Sequence, residues 1–165
     1  MGDNITVIGG IKSEKWAALL PQIFNLIEND DDIISRMANV VAAVHSTFGF
    51  LWTGFYRVRH GASDPTEGIL VLGPFQGSTA CTRIRYGRGV CGTAWAERRT
   101  VVVDDVDAFP GHIACSCLSR SEIVVPVFDS EGSVTAVIDI DSADLATFDH
   151  TDAEALEKIA AAIML

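Results

Sequence analysis

The four cysteines of this chain are the residues that offer distinctive chemistry. Three of them lie in segments punctuated by glycine: Cys81 in GPFQGSTAC, Cys91 in GRGVC and Cys115 in FPGHIAC. The fourth, Cys117, follows Cys115 by two residues. Thiols beside flexible backbone, in a chain without a secretory signal pattern, indicate redox catalysis or metal binding rather than structural disulfides.

Length, composition and charge restrict the function further. A chain of 165 residues that is 48% hydrophobic is long enough for one domain with a substantial core and is not disordered. It has no apolar run of about 18 residues, and its start, MGDNITVIGG, lacks the basic and apolar regions of a signal peptide, so we expect a cytoplasmic protein that binds no membrane. The net charge of −10 argues against nucleic acid as a partner and favours a small ligand with a positive group.

Apolar periodicity predicts an α+β fold. Two helices are predicted in the first third of the chain, and Thr151 with Glu154 forms a capping box for a last helix. Strands are predicted at 50–58, 69–72, 80–84, 100–103, 122–128 and 133–141, with a short helix at 90–98. This order favours a central antiparallel β-sheet with the N- and C-terminal helices packed on one face. The irregular stretch 104–121 has a length typical of functional loops.

The last two strands predict a hairpin with a defined register. If Glu131 and Gly132 form a two-residue turn, Ser130 pairs with Ser133. The pairs that share one face are then all apolar: Ile123 with Ile140, Val125 with Ile138, and Val127 with Ala136. We therefore expect this face to be buried.

Three carboxylates converge on the opposite face of the same hairpin. Glu122 lies across from Asp141, and Asp139 lies two residues along on the same side. Like charges this close require a positive group among them or a carboxyl group that stays protonated. The alternative interpretation is a solvated strand end whose acids point into water.

Five further segments point to a family. GPFQG, GRGVCGTAW, GHIACSC, SEIVVPV and VIDIDS occur in this order, and WTGFY begins at Trp52. Together they resemble the free methionine-R-sulfoxide reductases, GAF-fold enzymes that reduce the sulfoxide of free methionine. The resemblance runs from about Phe50 to the end of the chain. Residues 1–12 are expected to form a loose leader, and the resemblance implies a single GAF-like catalytic domain at 13–165. We expect neither a cofactor nor a metal.

The resemblance implies roles for three cysteines. Cys115 corresponds to the cysteine that attacks the sulfoxide sulfur, and Cys81 to its resolving partner. Cys91 matches a third family cysteine, an alternative nucleophile or resolving thiol. The attack leaves a sulfenic acid, a second thiol condenses with it to a disulfide, and a thioredoxin-like dithiol regenerates the enzyme. Cys117 matches no position of the family mechanism.

The resemblance also implies a binding site for free methionine sulfoxide. Glu122, Asp139 and Asp141 match the family's substrate-binding carboxylates, and Trp52 and Tyr56 fall in the aromatic wall around the substrate methyl group. A crowded carboxylic acid, for which Asp141 is the first candidate, can give the proton that the leaving oxygen needs, while the other acids bind the ammonium group. A homodimer is a further expectation.

Two other functions stay open from the residues alone. A non-catalytic GAF-type sensor for a small ligand needs the pocket but no pair of thiols able to meet. A zinc site would use His112, Cys115, Cys117 and Cys91, although H-x2-C-x-C is not a standard ligand spacing. Cys91 itself is either a small buried apolar residue or a reactive thiol whose pKa is lowered by the start of the predicted helix.

Overall fold

Four helices and six strands make up the part of the chain that the computed structural model describes, which covers residues 5–7, 9–60, 68–112 and 117–164. In chain order they are α1 (Lys12–Glu28), α2 (Ile33–Phe48), β1 (Trp52–Arg59), β2 (Ile69–Gln76), β3 (Arg83–Arg85), α3 (Gly89–Glu97), β4 (Val101–Val103), β5 (Ser121–Phe128), β6 (Val134–Ser142) and α4 (His150–Ala162). A short 3-10 helix, Val106–Ala108, follows β4. None of the helices in these ranges is both long enough and apolar enough to cross a membrane.

The six strands form one sheet in the order β3-β2-β1-β6-β5-β4, and every neighbouring pair is antiparallel. Helices α1, α2 and α4 cover one face of this sheet, where their apolar residues form a core cluster with β1, β5 and β6. The predicted α+β fold, with N- and C-terminal helices on one face, is confirmed. The helix α3 lies on the other face, in a second cluster with Trp52, Tyr56, Leu70, Val124 and Val137.

Helix α2 shows how the sequence builds the helical layer. Its buried residues recur at helical spacing: Met37, Val40, Val41, Ala43 and Val44. The side chain of Asp32 accepts the backbone N–H groups of Ile34 and Ser35 at 2.8 and 2.9 Å, which caps the start of the helix. Gly49 ends it with a positive φ of 67°, a conformation that glycine adopts without strain.

The last helix begins earlier than its predicted capping box. The cap is Asp149, whose side chain accepts the N–H of Thr151 at 2.8 Å, so the predicted pair of Thr151 and Glu154 is wrong. The carboxylate of Asp152 accepts the N–H of Asp149 at 3.0 Å. The same buried carboxylate accepts a hydrogen bond from Nζ of Lys12 at 2.6 Å, which ties α4 to α1.

The hairpin of β5 and β6 has the predicted register. Ile123 lies opposite Ile140, and Glu122 lies opposite Asp141. The other two predicted apolar pairs, Val125 with Ile138 and Val127 with Ala136, are also present. All six apolar side chains belong to the core cluster under the helices, so the expected burial of this face is confirmed.

The turn of this hairpin differs from the prediction. The N–H of Gly132 donates to the carbonyl of Asp129 at 3.0 Å, and the N–H of Asp129 donates to the carbonyl of Ser133 at 2.9 Å. Asp129 therefore takes the place that was predicted for Ser130, and the loop has three residues, with Gly132 at a φ of 82°. A register shift at residues 127–128 absorbs the difference, so the pairs beyond it keep the predicted alignment.

Candidate active site

A small cavity lies between the start of α3 and the adjoining ends of β5 and β6. It measures about 30 Å³, which is room for one or two water molecules. Its lining residues include Ile84, Arg88, Gly89, Val90, Cys91, His112, Ser119, Glu122, Asp139 and Asp141. Four of the predicted site residues, Cys91 and the three acids, therefore meet at one place.

The three carboxylates reach this cavity because of the β5–β6 register. Glu122 and Asp139 are only 5% and 6% exposed, and Asp141 is partly buried. The interpretation of these acids as a solvated strand end is therefore wrong. Two acidic side chains buried beside a third require a protonated carboxyl group or a cationic ligand.

The three acids differ in the hydrogen bonds and charged neighbours that the described residues give them. The hydroxyl of Ser119 donates to Oδ1 of Asp141 at 2.6 Å, and Nε2 of His112 lies 3.6 Å from Oε2 of Glu122. Oδ1 of Asp139 is buried and has no hydrogen-bond partner among the described residues, although side-chain hydrogen bonds with Cys91 and Glu122 act on the same carboxyl group. A buried carboxylate oxygen in this state is an acceptor available to a ligand.

Burial raises the pKa of all three acids. It raises the pKa of Glu122 well above its usual value, and the charge of Asp141 adds to this. Burial and the charges of Asp141 and Glu122 do the same to the pKa of Asp139. The pKa of Asp141 is raised by burial, although the Ser119 hydroxyl and the charge of His112 act in the opposite direction. The cluster therefore retains protons at a pH where exposed carboxyl groups are ionised.

The start of α3 approaches β3 closely, and this places Cys91 over the acids. The N–H of Gly92 donates to the carbonyl of Arg88 and the N–H of Gly87 to the carbonyl of Gly92, both at 3.0 Å. A Cβ atom on Gly92 would lie 2.5 Å from the carbonyl oxygen of Arg85, so a side chain does not fit there. Glycine at this position lets the first turn of α3 sit against the β3 end of the sheet.

Cys91 is 3% exposed and has a protonated thiol as its favoured form. Burial raises its pKa well above the usual value, and the charges of Asp139 and Glu122 raise it further. The expectation that the helix N-terminus lowers this pKa is therefore wrong. The partial charge of a helix end acts over the first turn and is opposed here by burial and by the neighbouring carboxylates.

The other cysteines occupy different environments. Cys81 is partly buried and its carbonyl accepts a hydrogen bond from the hydroxyl of Tyr56 at 2.9 Å, whereas Cys117 is exposed. Both of these thiols and that of Cys91 are free. Cys115, the predicted nucleophile, lies outside the described residues, so its approach to the acids and to Cys81 stays a prediction.

The two predicted aromatic residues are buried in the second cluster. Trp52 lies opposite Asp141 in the pairing of β1 with β6. Its ring stacks on Phe75 and on Tyr56, with centroid distances of 5.4 and 5.9 Å. Neither Trp52 nor Tyr56 lines the cavity at its present size, so their contact with a ligand stays a prediction.

Sequence reasoning missed two polar side chains that line the cavity, those of Ser119 and Arg88. Ser119 is buried near the end of the irregular stretch, where the N–H of the next residue, Arg120, donates to the carbonyl of Ser142 at 2.7 Å. Its place two residues before β5, close to Glu122, was the available signal. Arg88 lies within the GRGVC segment, but its place at the cavity depends on how α3 folds back on the sheet.

Comparison with known proteins gives a consistent result. The GAF domain family matches residues 32–165. The free methionine-R-sulfoxide reductase of Saccharomyces cerevisiae is 51% identical over 154 residues, which cover 90% of this chain and 83% of the yeast protein. The enzyme of the same name from Escherichia coli is 37% identical, with 91% of this chain and 87% of that protein covered.

A solved structure matches over nearly the whole chain. It is the X-ray structure of the free methionine-R-sulfoxide reductase from Neisseria meningitidis in complex with its substrate. The two chains are 48% identical and superpose with a TM-score of 0.91. The match covers 98% of this chain and 93% of the other.

Proposed function

This chain belongs to the free methionine-R-sulfoxide reductase family of GAF-domain proteins, and we propose that it reduces free L-methionine (R)-S-oxide to methionine. The family expected from the sequence is thus confirmed. One observation supports the activity above all others. Glu122, Asp139 and Asp141 line one cavity as buried or partly buried acids whose pKa values are raised.

The acids suit the ammonium group of a free amino acid. A positive group among them lowers their mutual repulsion and gives the unpartnered Oδ1 of Asp139 a hydrogen-bond donor. Glu122 and Asp139, the two more deeply buried acids, are the proposed ammonium ligands. A methionine within a peptide has no such group, so the same contacts select the free amino acid.

A raised carboxyl pKa also suits the proton transfer. The sulfoxide oxygen leaves more easily when it receives a proton, and an acid that keeps its proton near neutral pH can supply it. Asp141 is the proposed donor because it is the most exposed of the three acids and can be reprotonated from solvent. Its hydrogen bond from Ser119 fixes the orientation of the carboxyl group.

The proposed redox steps use the cysteines in sequence. The Cys115 sulfur attacks the sulfoxide sulfur, the oxygen passes to the cysteine, and the products are methionine and a cysteine sulfenic acid. The thiol of Cys81, or of Cys91 in its place, then condenses with the sulfenic acid to a disulfide and releases water. A thioredoxin-like dithiol reduces this disulfide and becomes oxidised itself.

Substrate binding requires the cavity to widen, since about 30 Å³ cannot hold an amino acid. Trp52 is proposed to form one wall of the widened site, because it lies beside Asp141 in the sheet and an aromatic ring packs favourably on a sulfur centre and its methyl group. Tyr56 stacks on Trp52 and supports the same wall. A cytoplasmic location, the thioredoxin-like partner and a homodimer complete the proposal.

An assay with separated epimers tests this function. The protein should reduce the free R epimer and act little on the S epimer or on methionine sulfoxide within a peptide. Comparable turnover of a peptide-bound sulfoxide would contradict the role of the acids as an ammonium site. Tight binding of the R epimer without methionine production would instead favour a ligand sensor.

A further inference from the structure

We propose that Cys91, Glu122 and Asp139 form a binding site for a divalent transition-metal ion of the Zn²⁺ type. The Sγ atom of Cys91 and one carboxylate oxygen from each acid lie within 4.8 Å of one another. Bonds of about 2.3 Å to sulfur and about 2.0 Å to oxygen place the ligand atoms of a tetrahedral zinc site about 3.3–3.5 Å apart. Small side-chain rotations therefore bring the three groups to ligand spacing.

The carboxylate of Asp139 gives a second indication that this cavity can hold a cation. The residue is only 6% exposed, and its Oδ1 has no hydrogen-bond partner among the described residues. Buried polar atoms without a partner are rare in native proteins because their desolvation is costly. A metal ion at the cavity would satisfy this oxygen directly.

The mixture of ligand atoms indicates which metal fits. A thiolate with carboxylates and a nearby imidazole is typical of zinc or cobalt, whereas magnesium and calcium prefer oxygen ligands alone. Nε2 of His112 lies 3.6 Å from Oε2 of Glu122, close to the spacing of two ligands on one ion. His112 therefore lies beside Glu122 at the edge of the three-residue set, and a water in the cavity can supply the fourth ligand.

This set differs from the zinc site that the sequence left open. That set included Cys115, which lies outside the described residues, and Cys117, which is exposed, whereas Cys91 is buried. The set proposed here takes two carboxylates from the β5–β6 hairpin instead. It requires no thiol other than that of Cys91.

Metal binding would have a consequence for activity, and this part rests on the proposed function. A divalent ion on Glu122 and Asp139 occupies the acids that would bind the substrate ammonium. Zn²⁺ should then act as an inhibitor that competes with free methionine sulfoxide. Metal binding itself does not depend on the reductase chemistry.

Cobalt absorption tests the site without an activity assay. Co²⁺ bound to a thiolate gives a charge-transfer band in the near ultraviolet. A triple variant with Cys81→Ser, Cys115→Ser and Cys117→Ser keeps only Cys91. Titration of this variant with Co²⁺ should still produce the band, and later addition of Zn²⁺ should remove the band by displacing the cobalt. The single variant Cys91→Ser, with the other three cysteines present, should lack this band.

Acid variants identify the oxygen ligands. Asp139→Asn and Glu122→Gln should each weaken Zn²⁺ binding by at least ~10-fold in calorimetry, since even partners outside the ligand set contribute ~10–100-fold. Glu157→Gln, on an exposed position of α4, is the matched control and should bind like the unchanged protein. Circular dichroism of each variant verifies that the fold is retained.

The outcomes separate the two proposals. No cobalt band in the triple variant, or an undiminished band in Cys91→Ser, would overturn the metal site, whatever the reductase assays show. A band that requires Cys91 in a protein unable to reduce methionine sulfoxide would support the metal site and reject only the proposed function. Zn²⁺ inhibition that excess substrate relieves would support both.

Discussion

Replacing Asp139 with asparagine should make the protein more stable at neutral and higher pH. The nearest carboxylate oxygens of Glu122 and Asp139 lie within 4.8 Å of each other. Two ionised carboxylates at that distance repel by at least about 3.5 kcal/mol when the effective dielectric constant is about 20. The folded protein avoids this repulsion partly by keeping a proton, so we expect Asp139→Asn to gain about 1–3 kcal/mol rather than the full Coulomb energy.

The sign of the pH dependence follows from the raised pKa. A carboxyl group whose pKa is higher in the folded than in the unfolded protein binds more protons when folded. Because of this group, the free energy of unfolding therefore falls as pH rises from the ordinary aspartate pKa of about 4 through the raised pKa of the folded protein. The advantage of Asp139→Asn should be largest above that window and should vanish at acidic pH, where both states of the unchanged protein are protonated.

Urea unfolding at several pH values measures this effect, and Asp149→Asn is a control of opposite sign. Burial raises the pKa of Asp149, but the hydrogen bond from the N–H of Thr151 and the charge of Lys12 together outweigh it and lower the pKa overall. That carboxylate stabilises the protein above the ordinary pKa and loses its effect as pH falls. The measurement is made with a chelator present, so that no metal ion compensates the acids. Equal destabilisation of Asp139→Asn at every pH would then contradict the reasoning about their repulsion.

Four further substitutions test the proposed chemistry and the packing around it. Cys115→Ser should abolish a single turnover, whereas Cys81→Ser should permit one reduction and impair recycling unless Cys91 substitutes; rapid-quench assays distinguish these outcomes. Asp141→Asn should lower the reduction rate by ~10²-fold or more, the usual scale for a positioned acid, and a near-normal rate would remove it from the mechanism. Gly54→Ala places a Cβ atom 2.7 Å from Cζ3 of Trp52 and should cost about 1–3 kcal/mol, which a thermal unfolding midpoint equal to that of the unchanged protein would contradict.

The hairpin that carries the acids could be predicted because apolar and polar residues alternate along both of its strands and so fix its register. A slip of one residue would have turned Ile123 and Ile140 out of the core, so the apolar pattern allowed one alignment. The turn itself was predicted wrongly, since the bulge at residues 127–128 has no distinct signal in the sequence. The register survived because the bulge compensates for the longer loop.

The environment of Cys91 could not be predicted from local sequence. Its place in the first turn of α3 suggested a lowered pKa, but the pKa depends on burial and on Asp139 and Glu122, which are distant in the chain. Only the packing of α3 on the sheet brings these groups together. The same holds for Ser119, which contacts Asp141 across 22 residues of sequence.

Mass spectrometry of the reduced protein after one equivalent of substrate tests the central claim most directly. With the free R epimer of methionine sulfoxide, the protein should lose two hydrogens as a disulfide forms, and one equivalent of methionine should appear. The S epimer is the control and should leave the mass unchanged. An unchanged mass with the R epimer, or methionine formed without any change in the cysteines, would contradict the thiol mechanism and with it the proposed function.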